Sequence, residues 1–464
     1  MFEKIISIIN SIVWSPALVV LLVGAGLYFS IRTRFVQVRR FGLMIRSLFA
    51  SAERDEDGKR HGISSFEAFC IALSGRVGTG NIVGVATAIA LGGPGAIFWM
   101  WIIAFFGAST AFVESTLAQM YKFKHASGYR GGPSSYIELG LKKRSLGVLF
   151  AILAIVGYGI LLPSVQANGV AGALTNSFRL PAVSAGLGMA FLLALVIIGG
   201  IKSISRVASI VTPFMALGYI VFSIFIIFQH LDAVPAVLKT IVEGAFGIQP
   251  VAGGILGSTI MMGVKRGIFS NEAGQGSGAI VSASAAVPHP ARQGLAQAFS
   301  VYVDTLLVCT ATALMILCSG TYNILDAKTG EMLVANSPEL GANYVGFTQA
   351  AVDSAFTGFG SAFVSIALVF FAFTTLMAYY FYTESSIIYL CSRKKGMERT
   401  ERILIWIYRF ILLAMVVFGS LREANVVWQM GDIGVGLTAW INVLALLLLC
   451  PQAIKALKEY ESRD

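Results

Sequence analysis

The chain has 464 residues, 56% of them hydrophobic and only 12% charged, and its mean hydropathy is +0.77. So apolar a composition excludes a soluble globular protein, and the even spread of apolar runs excludes a soluble domain on a single anchor. The net charge of +10 does not mark a nucleic-acid binder, because the Lys and Arg fall in short loops and form no single basic face.

A bilayer crossing takes about 20 apolar residues. On that measure eleven spans are predicted, over residues 12–31, 63–91, 95–120, 148–176, 183–201, 207–229, 251–280, 293–319, 357–390, 403–421 and 432–450. Strand alternation is absent from all of them, so the expected class is an all-α polytopic membrane protein. The first stretch follows Lys4 but lacks a small-residue cleavage site, so it reads as a membrane helix and not a signal peptide. With the amino terminus outside, 25 Lys and Arg fall on the cytoplasmic side and 5 outside. That asymmetry predicts a multi-pass cell-membrane protein with an outer amino terminus and a cytoplasmic carboxyl terminus. The longest outer loop, residues 320–356, carries Asp326, Glu331, Glu339 and Asp353.

Two spans are unlike ordinary membrane helices. The second contains Ser74-Gly75-Arg76-Val77-Gly78-Thr79-Gly80-Asn81, and the seventh contains a Gly-rich polar stretch from Gly263 to Gly278. Unpaired backbone groups are costly at that depth, so both helices are predicted to be broken. The breaks stand five spans apart, and an odd block length inserts the second block upside down relative to the first. Paired interrupted helices in two inverted repeats point to a secondary transporter with its site at the midplane. The predicted organisation is an extra helix and basic loop (1–62), a first five-helix repeat (63–229), an external connection (230–250), a second repeat (251–450) and a cytoplasmic tail (451–464).

A broken helix exposes amide donors on one half and carbonyl acceptors on the other, so the pair suits a zwitterionic amino acid with a small cation. The amides around Gly78, Thr79 and Gly80 are placed to receive a carboxylate, with the Asn81 amide bridging to substrate or ion. The competing reading, a packing face from Gly80 to Gly84, is weakened by Arg76 and Asn81 inside the same span. In the seventh span Asn271 is read as a site contact. Glu272 is read as neutralised by Lys265 and Arg266, with a role as ligand for the substrate amine or a proton as the alternative. The ninth span carries Thr374-Thr375, whose hydroxyls suit Na+ beside carbonyls of the broken second span, although Thr on a membrane helix also bonds its own backbone. Gln166 and Asn168 lie two apart and cannot share a helix face, and Gln166 is favoured for the site. Glu114, Asp304 and Glu384 are read as packing or gating partners, and the five Cys as packing residues. The four His lie in loops or at span ends, which leaves no histidine relay, and no phosphate loop exists.

The ordered set Ser74–Ile82, Gly92–Trp101, Tyr129–Pro133, Gly267–Gly274, His289–Gly294 and Phe371–Thr375, with Arg32–Phe41 upstream, resembles the alanine or glycine:cation symporter family over most of the chain. The resemblance implies a leucine-transporter-like fold and Na+-coupled uptake of small neutral amino acids, chiefly alanine and glycine. By position it implies a substrate-facing set of Gly80, Asn81, Gln166, Asn271 and Thr375, and a sodium site at Val77, Gly80, Thr374 and Thr375. The chain departs from the pattern at Leu376-Met377-Ala378-Tyr379, where a Gly-Trp pair is expected, and at Thr383-Glu384-Ser385, where Gly-Glu-Arg is expected. Tyr379 therefore becomes a changed wall of the substrate pocket. The expected function is a sodium symporter and not an enzyme. Proton coupling on the same fold, or a larger neutral substrate such as glutamine, are the alternatives.

Overall fold

The computed structural model describes residues 2–49, 61–248, 250–327, 329–392 and 396–462. Of the charges used to orient the chain, Arg54, Lys59, Arg60, Lys328, Arg393–Lys395 and Arg463 lie outside the described residues. The fold is a mostly helical, polytopic membrane fold. Among the described residues seven helices are long and apolar enough to cross a bilayer, Gly95–Met120, Arg144–Phe178, Gly200–Gln229, Pro290–Ser319, Gly360–Ser392, Glu398–Leu421 and Ala424–Glu461. Two bent pairs raise the number to nine, Glu3–Val13 with Pro16–Arg32 at 41° and Ser65–Arg76 with Gly80–Gly92 at 49°. The other two expected spans fall on the short apolar helix Ala182–Ile197 and on Pro250–Asn271, which breaks before Ser277–Ala283, and neither is among the helices long and apolar enough to cross a bilayer.

Several boundaries differ from expectation, each for a local reason. The first span begins at Phe2 and bends where Pro16 stops one helix and starts the next. Lys202 and Arg206 lie inside the Gly200–Gln229 helix and not in a loop. The last helix passes through Pro451 to Glu461, so residues expected as a tail continue the helix. The loops also hold two short antiparallel hairpins, Phe123–His125 with Gly128–Arg130 and Asn323–Leu325 with Met332–Ala335. The segment 230–250 carries the Val234–Ala245 helix.

The Gly95–Met120 helix is the central post. It packs on Pro16–Arg32, on Pro290–Val301 and on both halves of the seventh span, and most of its residues are buried. Gly360–Ser392 packs on Leu162–Phe178 and brings its Thr and Tyr residues to the middle of the bundle. The lipid-facing side is made by Ala182–Ile197, Gly200–Gln229 and Glu398–Leu421, which expose Phe191, Phe214, Phe228 and Phe410.

One expected ion pair is overturned. Lys265 Nζ lies 2.7 Å from Asp432 Oδ2, and Arg266 pairs with the other oxygen of the same carboxylate. Neither forms an ion pair with Glu272 among the described residues. The helix ends at Asn271, and Glu272 takes a left-handed conformation with φ 55°, so the helical spacing that would have aligned it with Lys265 is lost. Arg266 is further held between Phe269 and Trp428, 5.3 and 4.7 Å from their ring centres.

Candidate functional site

The first break is prepared at both ends. A capping box starts its inner helix, with the Glu67 amide donating to Ser64 Oγ at 3.1 Å and the Ser64 amide to Glu67 Oε2 at 2.7 Å. Val77 then turns extended, at φ −79° and ψ 91°, and a π-helical turn takes over from Gly80 to Gly84. Such turns widen a helix locally and recur at functional sites. Two more face the same region, Gly157–Leu161 and Tyr302–Cys309.

At this break the amides exposed by the outer half already hold side-chain oxygens. Gly78 N–H donates to Asn81 Oδ1 at 2.8 Å, and Thr79 donates through its amide and its hydroxyl to Gln166 Oε1, at 3.0 and 2.8 Å. Both acceptors are side-chain amide oxygens, and the donors that hold them are backbone amides and one hydroxyl of the break. Gly78 is required by close approach: a Cβ there would come within 2.5 Å of Thr375 Oγ1 and 2.9 Å of Gln166 Oε1. The inner half presents carbonyls. Thr375 Oγ1 lies 2.9 Å from Ser74 O, 3.3 Å from Val77 O and 2.9 Å from Phe371 O. One hydroxyl hydrogen cannot serve three acceptors, and this set of neutral hard oxygens has the chemistry of a Na+ site.

The second break spans Glu272 to Gly276, with Gly274 and Gly276 at φ 86° and 89°, a region only glycine enters freely. Asn271 Oδ1 accepts from the Ala273 amide at 3.0 Å, while its buried Nδ2 has no hydrogen-bond partner. Arg76, 1% exposed, ties the two breaks together. Its Nε donates to Asn271 O at 2.7 Å, and its Nη1 donates to Gln297 Oε1 at 3.0 Å and to Ser300.

The structure brings together Val77, Gly78, Thr79, Asn81, Gln166 and Thr375. Tyr379 lies alongside, its hydroxyl within reach of Gln166 and its ring 6.1 Å from that of Tyr158. Gly80 instead meets the second break, where its Cβ would lie 3.2 Å from Phe269 and 3.4 Å from Ser270. Thr374 is not brought in. Its hydroxyl bonds Phe370 O and Phe371 O of its own helix and faces Met215 Sδ at 3.5 Å. Asn168 points away as well, donating to Gly419 O and Arg422 O.

Sequence reasoning passed over Asp304, Ser270 and Cys309 as parts of this cluster. Asp304 Oδ1 accepts from Asn81 Nδ2 at 2.6 Å, both its oxygens lie 3.0 Å from Ser270 Oγ, and Thr305 donates to Oδ2 at 2.6 Å. Cys309 Sγ lies 3.3 Å from Asn81 Nδ2 and 3.2 Å from Ser270 Oγ. The signal in the sequence was an acid in mid-span, but its partner was unreadable. Glu384 lies elsewhere, bonded by Tyr380 and 3.6 Å from Arg130. The polar side chains of the site, Thr79, Asn81, Gln166, Asn271 and Thr375, are at most 1% exposed, so the centre is closed to both sides. A groove of about 800 Å³ between Gly200–Gln229 and Gly360–Ser392 is lined mainly by aromatic and aliphatic side chains and belongs to none of this chemistry.

The family described as the sodium:alanine symporter family matches residues 1–464. The putative sodium/proton-dependent alanine carrier YrbD of Bacillus subtilis (strain 168) is 49% identical over 453 residues, 98% of this chain and 91% of its own. The sodium/proton-dependent alanine carrier of Bacillus sp. (strain PS3) is 47% identical, covering 87% of this chain and 89% of its own. The probable sodium/glutamine symporter GlnT of Bacillus subtilis (strain 168) is 43% identical, covering 99% and 90%. Among solved structures, a mutant manganese transporter of Eremococcus coleocola superposes with a TM-score of 0.54 at 14% identity, over 82% of this chain and 78% of its own, a likeness of fold alone.

Proposed function

Because the chain belongs to the sodium:alanine symporter family, we propose that it imports small neutral amino acids, alanine first, together with Na+ by alternating access. The observation that carries this reading is the first break. Its Gly78 and Thr79 amides hold side-chain amide oxygens, while Thr375 and the Ser74 and Val77 carbonyls gather on the other half. Substrate carboxylate displaces Asn81 Oδ1 and Gln166 Oε1 from those amides, with Thr375 and Tyr379 closing the pocket and Asn271 approaching from the second break. Na+ is held by the carbonyl of Val77 and the hydroxyl of Thr375, and it fixes the end of the inner half-helix against the Gly360–Ser392 helix. Coupling has sufficient energy, since one charge moving down ~100 mV yields ~2.3 kcal/mol.

The same reading takes the chain as eleven spans in the cell membrane, with the amino terminus outside. Ten of them form two inverted blocks of five, residues 63–229 and 251–450, after one extra helix. Its support is that each block opens on a broken helix and that the two breaks meet through Arg76 and Asp304. A glutamine-sized substrate is the second reading, favoured by the 43% identity to GlnT and by Tyr379 at the pocket wall. Uptake of labelled alanine into proteoliposomes, with and without an inward Na+ gradient, tests both. Sodium-dependent uptake competed by glycine and not by glutamine is expected. Competition by glutamine would transfer the assignment to the larger substrate, and uptake indifferent to Na+ would refute sodium coupling.

A further inference from the structure

Three acids, Glu114, Glu272 and Asp304, are buried around the two breaks, and the guanidinium of Arg76 is the cation that acts on all three. Lys265 and Arg266 are committed to Asp432. One positive charge cannot compensate three negative ones in a membrane interior, so the cluster demands either further cations or bound protons. The three acids differ in how well their ionised forms are held. Asp304 accepts from Asn81, Ser270 and Thr305, and both its oxygens are served. Glu114 Oε2 accepts from Asn442 Nδ2 at 3.0 Å, and Tyr136 in turn anchors that amide. Its other oxygen, Oε1, is buried with no hydrogen-bond partner, as is Arg76 Nη2. A Cβ on Gly278 would lie 2.6 Å from Nη2 and 3.7 Å from Glu114 Oε1, so only glycine leaves room beside both groups. Glu114 also stands on the rigid central post.

Glu272 shares the unpartnered oxygen of Glu114 but not its rigid place. It sits in the second break itself, held at φ 55°, and it is bonded only by neutral hydroxyls: Ser277 Oγ at 2.7 Å and Tyr382 at 3.2 Å, both to Oε2. Its Oε1 is buried with no hydrogen-bond partner. The groups that face it are Ser277 from the inner half-helix, Tyr379 and Tyr382 from Gly360–Ser392, Tyr158 from the Gly157–Leu161 turn, Arg76 from the first break and Asp304 from the Tyr302–Cys309 turn. Any rocking of the half-helices against the central post changes this surrounding.

We propose that Glu272 is the proton-binding group of this carrier. The proposal rests on the symporter reading. Glu272 takes one proton while the site faces outward and releases it when the second break opens to the cytoplasm, so proton, Na+ and amino acid enter together. The test uses the full-length protein in proteoliposomes with a trapped pH-sensitive dye. With Na+ equal on both sides, one unit of inwardly directed pH gradient is expected to raise alanine accumulation about tenfold, the equivalent of ~1.4 kcal/mol. Added alanine should also acidify the lumen. Glu272→Gln should take up alanine under a Na+ gradient with no alanine-driven acidification, and Glu114→Gln should retain it. Acidification persisting in E272Q, or absent in the wild type, overturns the proposal. Absence of all sodium-driven uptake in the wild type overturns the symporter reading instead. A readout independent of transport is the infrared band of a protonated carboxyl that changes on adding alanine. It should shift in Glu272→Asp, and identical bands in both proteins would place the proton on another group.

Discussion

The threonine pair in the ninth span separates two side chains of identical chemistry by direction alone. Successive residues on a helix point about 100° apart. Thr375 accordingly reaches Ser74 O and Val77 O across the bundle, while Thr374 faces Met215. Replacing Thr375 by Ala removes the only side-chain oxygen placed among those carbonyls. We expect the Na+ concentration for half-maximal uptake to rise about tenfold, the ~1.4 kcal/mol of one good ligand. Thr374→Ala should leave it near the wild-type value. Sodium titrations of uptake in the two variants check this, and equal effects would remove Thr375 from the site. Gly78→Ala is the complementary test. Its methyl group would enter the 2.5 and 2.9 Å spaces occupied by Thr375 Oγ1 and Gln166 Oε1. Overpacking of this kind costs roughly 1–3 kcal/mol, so alanine uptake should fall at least tenfold in protein that still reaches the membrane.

At the scale of elements, the outer half of the seventh span is fixed to the last helix by Asp432, which serves Lys265 and Arg266 together. The Trp14 indole adds a hydrogen bond to Asp432 O at 2.7 Å, bringing the first helix pair into the same contact. Removing one member of a buried pair leaves an uncompensated charge and costs about 3–5 kcal/mol. Asp432→Asn strands two cations and should lower the unfolding temperature in detergent well below that of Lys265→Met, which leaves Arg266 and Asp432 paired. A thermal melt of both variants measures the difference, and equal melting points would show that the triad does not hold these helices.

For the whole molecule, the proposed symport puts substrate and ion where the two broken spans meet, so occupancy should knit the bundle together. A ligand at 100 times its dissociation constant stabilises the form it binds by about 2.7 kcal/mol. Alanine and Na+ added together should therefore raise the melting temperature more than the sum of either alone, because each orders the break that the other uses. Additive or absent shifts in a thermal melt would separate the two sites energetically.

How much of this was legible in the sequence follows from the range of each signal. The breaks could be read directly, because glycine and polar residues in mid-span conflict with the local demands of a membrane helix, as at Gly78–Asn81 and Glu272–Gly276. Helical periodicity showed that Gln166 and Asn168 could not both face the site, and the structure chose Gln166. Pairings across the chain could not be read. Asn81 meets Asp304 over 223 positions, and Lys265 meets Asp432 and not the nearer Glu272, because the helix ends one residue too soon. Sequence by itself determined where the backbone must break and which side chains stand in the apolar layer, since both follow from local cost. Only the tertiary structure decided which buried charge compensates which, because compensation depends on distances between helices that no local pattern records.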